Sequence, residues 1–317
     1  MHSLQSPPPV IEVSGLTKHY GAFKAVDDLS FKVFKGDVFG FLGQNGAGKS
    51  TTIRMLLTLI RPTAGSIRIF GLELAGHRRE ILSRVGAVIE KPDLYGYLSG
   101  YHNLSIFAKL SGKTCGRNKL NETLDMVGLS VRAADKVKTY SQGMKQRLGI
   151  ACALVHDPDL VILDEPANGL DPQGIADMRN LILRLSREKG KTFLISSHLL
   201  AEMELISNRM IIIDHGKKVV EGNVKELVDP EQLVLHIDTI DDAFSIGKIL
   251  GTRWRDSLRA PYSERIVMNV HRSHVPDLVR DLVGMGVDLI ALRPVNSLEE
   301  YFLSRTTEKA YVEAGTN

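Results

Sequence analysis

Residues 37–57 read DVFGFLGQNGAGKSTTIRMLL. An apolar strand pattern runs into a glycine-rich stretch, and a helical pattern follows. Gly43, four intervening residues and then Gly48-Lys49-Ser50 give the spacing of a phosphate-cradling loop, in the strand-loop-helix context that such a loop requires. Glycines at 43, 46 and 48 remove side chains so that backbone N–H groups can surround phosphate oxygens, and the helix starting near Lys49 adds its positive dipole end. A glycine-rich turn that merely joins strand to helix is the plainer alternative, and the flanking elements disfavour it.

The nucleotide-binding residues expected from this stretch are Gly43, Gln44, Asn45, Gly46, Ala47, Gly48, Lys49, Ser50 and Thr51. Lys49 should reach the β- and γ-phosphates, and Ser50 should ligate Mg²⁺.

A second element lies at LVILDEP, residues 160–166, an apolar strand that ends in two carboxylates. Asp164 is placed to hold Mg²⁺ through its water shell, and Glu165 to accept a proton from an attacking water. On its own this could be a turn closing a buried strand; beside a phosphate loop it reads as catalytic. His198, in LISSHLL, follows Glu165 by one strand-helix-strand unit, so both strand ends could open onto the same phosphate.

Working outward, the chain of 317 residues is long enough for one large domain and a smaller one. Forty basic against 37 acidic residues leave a net charge of +3, too weak to argue for nucleic acid or an acidic membrane surface. Two cysteines, Cys115 and Cys152, stand in no metal-ligand spacing and read as reduced, inert thiols. Residues 1–9 lack a basic n-region and an apolar core, and read as a disordered leader. No stretch approaches the ~20 uninterrupted apolar residues that span a bilayer, so any membrane role must use another chain.

Candidate strands are VIEVSGL, FKAVDDLSFKV, DVFGFLG, SIRIFG, VGAVIE, LVILDEP, KTFLISS and MIIIDHGKKVVEG. Between about 91 and 156 the pattern turns helical, with Leu104, Phe107, Ala108, Leu124 and Val127 at three- to four-residue steps. The expected fold is an α/β core with a helical insertion. After a helix at 224–230 the pattern restarts: a strand QLVLHID, a helix at 241–250, a weak strand at 252–257, a strand ERIVMNVH, a helix at 275–283 and a strand VDLIALRPV. That order suits a small split βαβ sandwich over 231–309. A final amphipathic helix, SLEEYFLSR, and a tail at 310–317 complete the chain.

With these residues assembled, the segment 10–228 resembles an ABC-transporter ATP-binding subunit. The element that sets this family apart is its signature motif, usually LSGGQ; YSQGMKQR at 140–147 matches it in Ser141 and Gly143, with Gln142 in place of the first glycine and Met144 in place of the glutamine. The same kind of variant is found in the drug-export branch that includes bacitracin-resistance and lantibiotic-immunity ATPases. The resemblance implies a P-loop ABC-type ATPase core with an antiparallel β subdomain and a small C-terminal α+β domain. It also implies two subunits sandwiching two ATP molecules, each held by the P-loop of one and by Ser141, Gln142 and Gly143 of the other.

Other positions carry over one by one. Tyr20 resembles the aromatic residue that stacks on adenine, Asp171 the D-loop acid and His198 the switch histidine, while Ala167 departs from the usual threonine. Glu90, in VGAVIEKPDLYG, falls where the family usually has a glutamine that touches Mg²⁺ and the attacking water and links them to the membrane partner. A carboxylate there is a harder metal ligand but adds negative charge beside a triphosphate. Tyr95, Tyr97 and Tyr101, in the helical insertion, are either a docking socket for that partner or ordinary core and rim residues.

The implied cofactors are ATP and Mg²⁺, and the implied partners are a second copy and a separate transmembrane permease at the cytoplasmic face of the membrane, with no nucleic acid. Export of a drug, antimicrobial peptide or lipid-like substrate is the direction the resemblance favours. The rivals are a soluble ABC ATPase acting on ribosomes or DNA, and an importer ATPase with a C-terminal regulatory domain.

Overall fold

The computed structural model describes residues 8–112, 115–227, 231–259 and 266–294. The chain divides into two compact units, Met1–Gly222 and Asn223–Asn317, so the helix begun by VKEL falls in the second unit and not in a first domain reaching 228.

The long strands β1 (Pro9–Tyr20) and β2 (Phe23–Phe34) pair antiparallel, and after β3 (Val38–Leu42) come β4 (Ala64–Ile69) and the short β5 (Leu72–Glu73). Four of these form a sheet in the order β2-β1-β4-β5, the expected antiparallel subdomain. Pro9 already belongs to β1, so only residues 1–7 of the supposed leader lie outside the described residues.

A second sheet takes in β6 (Val85–Val88), β7 (Leu160–Asp164), β8 (Thr192–Ser197), β9 (Arg209–Asp214) and β10 (Lys217–Asn223), in the order β10-β9-β3-β8-β7-β6. From β9 to β6 every neighbouring pair is parallel. Every residue of β3, β7 and β8 is buried, without alternation, as a parallel sheet covered on both faces demands. Phe39, Phe41 and Phe193 are among the largest fully buried side chains, each worth about 1.5–3 kcal/mol of burial. This packing fixes the carboxyl ends of the strands, where the loops with polar residues emerge. The run MIIIDHGKKVVEG is two strands rather than one, because His215 and Gly216, both at positive φ, turn the chain between β9 and β10.

The helical region holds three main helices, Gly100–Leu110, Arg117–Met126 and Gln142–Leu154. Leu104, Ala108, Leu124 and Val127 are buried at the spacing read from sequence, and Phe107 is half-buried. Gly149 lets the third helix come close: a Cβ there would sit 2.7 Å from Pro92 Cβ, just beyond Glu90.

In the second unit β11 (Gln232–Thr239) lies between β12 (Ile266–His271) and β13 (Leu289–Pro294), antiparallel to both. Helices Asp242–Leu250 and Val275–Gly284 supply Ile249, Leu278 and Leu282 to a core with Leu235, Ile237 and Met268. The expected strand at 252–257 is absent. Backbone bonds from Thr252 N–H to Ile249 O and from Arg255 N–H to Thr252 O turn the chain into a short 3₁₀ segment, Arg255–Ser257. Trp254 is buried and donates its Nε1–H to Asp281 at 2.8 Å. Backbone pairing with β12 begins beyond that segment, where Leu258 bridges Met268 and Arg259 N–H donates to Val267 O at 2.9 Å. Among the described residues the unit is therefore a three-stranded α+β layer and not the four-stranded split βαβ. The helix read at SLEEYFLSR lies outside the described residues.

Candidate nucleotide site

The parallel sheet delivers four segments to one edge: the loop after β3, Ile89-Glu90 after β6, Glu165 after β7 and His198 after β8. Crevices outside the carboxyl ends of such strands are where α/β sheets bind ligands.

The loop glycines have different physical reasons. A Cβ on Gly43 would lie 2.4 Å from Ile213 O, and one on Gly48 would lie 2.5 Å from Ala25 O, so both positions are closed to side chains by the protein's own backbone. Gly48 also sits at φ 103. Gly46, at φ 86, has open space around it, so only there is room left on the ligand side. Gly48 caps the helix Lys49–Leu56 without a side-chain hydrogen bond, which leaves the first-turn N–H groups for a ligand. Ser50 and Thr51 stand half-buried on that turn.

Lys49 is turned inward. Its ammonium donates to Gly43 O at 2.7 Å and Gln44 O at 3.1 Å, and pairs with Glu165 Oε1 at 3.3 Å. A buried charge needs partners of this kind. Glu165 Oε2 accepts from His198 Nδ1 at 2.8 Å, so the carboxylate lies between the lysine and the histidine. Glu165 holds a left-handed φ of 51, and its N–H donates to Ser196 Oγ at 3.0 Å.

Ser196 is a residue that sequence reasoning missed; its Oγ–H also donates to Asp164 Oδ1. The only local hint was the serine pair ending the apolar run in LISSH. Asp164 is buried, and its Oδ2 has no hydrogen-bond partner among the described residues. An unsatisfied buried oxygen costs roughly 1–3 kcal/mol, and more when charged. A divalent cation or its bound water would relieve that cost, so the donor set of Asp164 and Ser50 fits Mg²⁺.

Glu90 occupies the position on β6 that Glu165 occupies on β7. Val88 is paired with Leu163, each acid lies two residues farther on, and both have positive φ. Their partners differ. Glu90 pairs with Arg54 Nη2 at 2.5 Å, on the helix that starts at Lys49, and is not joined to Lys49, Glu165 and His198. Arg54 is the other contact of a predicted site residue that the sequence did not reveal.

Ser141 caps the helix Gln142–Leu154, its Oγ accepting from Met144 N–H at 3.3 Å. Asp171 caps the helix Pro172–Lys189 through Gly174 N–H at 2.9 Å. Ser141, Gln142, Gly143 and Asp171 together line a cleft of about 500 Å³ that no residue of the phosphate loop lines. Within one chain, then, the signature residues and the phosphate loop face different spaces. Tyr20 ends β1 with 49% of its surface exposed and Lys18 Nζ 5.2 Å from its ring, leaving a ring face open for stacking.

On the helical region, buried Asn103 pins the backbone of Tyr95 by two hydrogen bonds, and Tyr95 and Tyr97 meet edge to face at 6.0 Å on the surface. Tyr97 and Tyr101 line a cleft of about 680 Å³ with His102, Arg117 and Lys136. Cys152 is an inert thiol as expected: burial pushes its pKa up to about 12.

The ABC transporter family profile matches residues 26–168. The bacitracin transport ATP-binding protein BcrA of Bacillus licheniformis is 50% identical over 297 residues, covering 93% of this chain and 96% of that one. Its namesake from Enterococcus faecalis is 43% identical over 294 residues, covering 92% and 95%. A solved ATP-binding subunit of an ABC transporter superposes with a TM-score of 0.60 at 31% identity, over 69% of this chain and 91% of that one. Likeness over nearly the whole length, in a chain whose strand ends assemble Lys49, Asp164, Glu165 and His198, settles the family: the chain belongs to the ATP-binding subunits of ABC transporters, in the branch that holds the bacitracin transport ATP-binding proteins.

Proposed function

We propose that two copies of this chain close around two ATP molecules and pass that motion to a membrane permease that exports a drug, antimicrobial-peptide or lipid-like substrate. The activity of the exporter branch, ATP hydrolysis powering export through a separate membrane subunit, is that of this chain as well. The finer reading rests on one observation: Glu165 is held at 3.3 Å from Lys49 and 2.8 Å from His198, at the mouth of the phosphate loop.

In the proposed mechanism water attacks the γ-phosphorus, the bond to the β–γ bridging oxygen breaks, and Glu165 takes the proton that the water gives up. Lys49 leaves Glu165 and the loop carbonyls to meet the phosphates, freeing the carboxylate for its role as base. His198 keeps Glu165 oriented and can hold the γ-phosphate from its side. Mg²⁺, when bound, would be held by Ser50 and Asp164 and would neutralise charge building on the phosphates.

The separation of the signature cleft from the phosphate loop supports the dimer. Ser141 Oγ and the Gly143 N–H, at a helix start, suit a γ-phosphate presented by another copy. No helix among the described residues is long and apolar enough to cross a membrane. Exposed Tyr95 and Tyr97, with half-buried Tyr101 beside them, would offer a permease helix a surface, in keeping with a place at the cytoplasmic face of the membrane. The similarity to bacitracin transport ATP-binding proteins favours an antimicrobial peptide as cargo. Phosphate release from Mg²⁺-ATP is the test. Glu165→Gln should slow it by about 10²–10⁴-fold while nucleotide still binds, and undiminished turnover would remove Glu165 from the mechanism.

A further inference from the structure

We propose that Arg54 is a positioning residue for Glu90: their ion pair holds the Glu90 carboxylate away from the nucleotide phosphates until a metal-loaded nucleotide competes for it. This rests on the nucleotide reading of the site and goes beyond it, since it assigns a working partner to the acid that stands where the family usually has a glutamine.

Glu90 and Glu165 leave neighbouring strands at equivalent register, so both emerge at the same rim. One helix supplies a base to each. Lys49 and Arg54 are five residues apart, which separates their side chains by about 140° around the axis. Lys49 therefore turns into the loop toward Glu165, and Arg54 turns outward to Glu90.

An unpaired carboxylate at that rim would repel a triphosphate. Arg54 cancels its charge without burying it: the side chains of the pair remain 41% and 63% exposed. Exposed ion pairs are weak and readily exchanged, and a carboxylate is a good oxygen ligand for a divalent cation. The left-handed backbone at Glu90, φ 57, fixes where the acid starts from, and Pro92, two residues on, packs against Gly149 of the helix that Ser141 caps. The pair thus joins the phosphate-loop helix to the signature helix through a three-residue segment.

The test is the affinity for a fluorescent ATP analogue, measured with excess EDTA and again with Mg²⁺, for wild type, Arg54→Gln, Arg54→Lys, Glu90→Gln and the Arg54→Gln/Glu90→Gln double variant. Arg54→Gln should weaken metal-free binding about threefold, the scale of an exposed ion pair. It should weaken Mg²⁺-dependent binding less, so the ratio of the two dissociation constants widens. Arg54→Lys should keep the wild-type ratio, and in the Glu90→Gln background the Arg54 change should leave the ratio unaltered.

A merely structural Arg54 would shift both affinities equally. That outcome, or an Arg54 effect undiminished by Glu90→Gln, overturns the inference while leaving the nucleotide site standing. A wild-type chain that binds the analogue in neither condition overturns the nucleotide reading and this inference together.

Discussion

Two acid–base pairs stand on neighbouring strand ends of the same sheet, and burial separates their duties. Glu165 and Lys49 have 17% and 6% of their side chains exposed, whereas Glu90 and Arg54 have 63% and 41%. Both acids lie two residues beyond a paired strand position and both bases lie on one helix. The backbone therefore presents two nearly equivalent sites and the side chains use them differently. The inner pair is shielded from water, tied to two loop carbonyls and a histidine, and placed where proton transfer would occur. The outer pair is open to solvent and weak enough to exchange. A carboxylate at a strand end is therefore not by itself catalytic; its surroundings decide whether it holds a proton, a metal or an arginine.

Breaking the inner pair should have the largest consequence. Glu165→Gln removes the proposed base and should cost about 10²–10⁴ in kcat; Lys49→Ala removes the proposed donor to the phosphoryl group and should cost about 10²–10³. The two differ in binding: Lys49→Ala should also weaken ATP affinity, and Glu165→Gln should preserve it. Equilibrium titration beside single-turnover hydrolysis separates the two effects.

Altering the outer pair should do far less. Glu90→Gln replaces the acid with the family's usual amide and should raise turnover about two- to fivefold at limiting Mg²⁺, with a shallower dependence on metal concentration. Steady-state rates across a Mg²⁺ series check this. Complete loss of hydrolysis in Glu90→Gln would show that the carboxylate is indispensable and would invert the comparison.

The smallest effect expected is that of salt. Screening shortens to about 3 Å at 1 M, so the difference between Glu90 and its Gln variant should shrink as salt rises. The penalty for Glu165→Gln should hold constant across the same series.

Sequence alone exposed the inner half of this arrangement. Gly43, Gly48, Lys49 and Ser50 are close neighbours along the chain, so their spacing carries the geometry of a strand-loop-helix turn. Asp164 and Glu165 interrupt an apolar strand, which gives away their place at its end. Arg54 and Ser196 were illegible for the opposite reason: their partners lie 36 and 32 residues away, and nothing in local spacing marks such a contact. The glycines were legible as a motif, yet the walls that require Gly43 and Gly48, Ile213 O and Ala25 O, belong to distant strands. The strand expected at 252–257 failed because one buried tryptophan and two turn hydrogen bonds outweighed a weak alternation.

In the proposed assembly the phosphate loop of one chain is completed by the signature residues of another. That completion is tested most directly by sedimentation of the Glu165→Gln chain with and without Mg²⁺-ATP. The predicted result is a dimer that forms with ATP, fails to form with ADP, and is lost when Ser141→Arg is added. A Glu165→Gln chain that binds ATP yet stays monomeric at every concentration, or a dimer indifferent to Ser141→Arg, would contradict it.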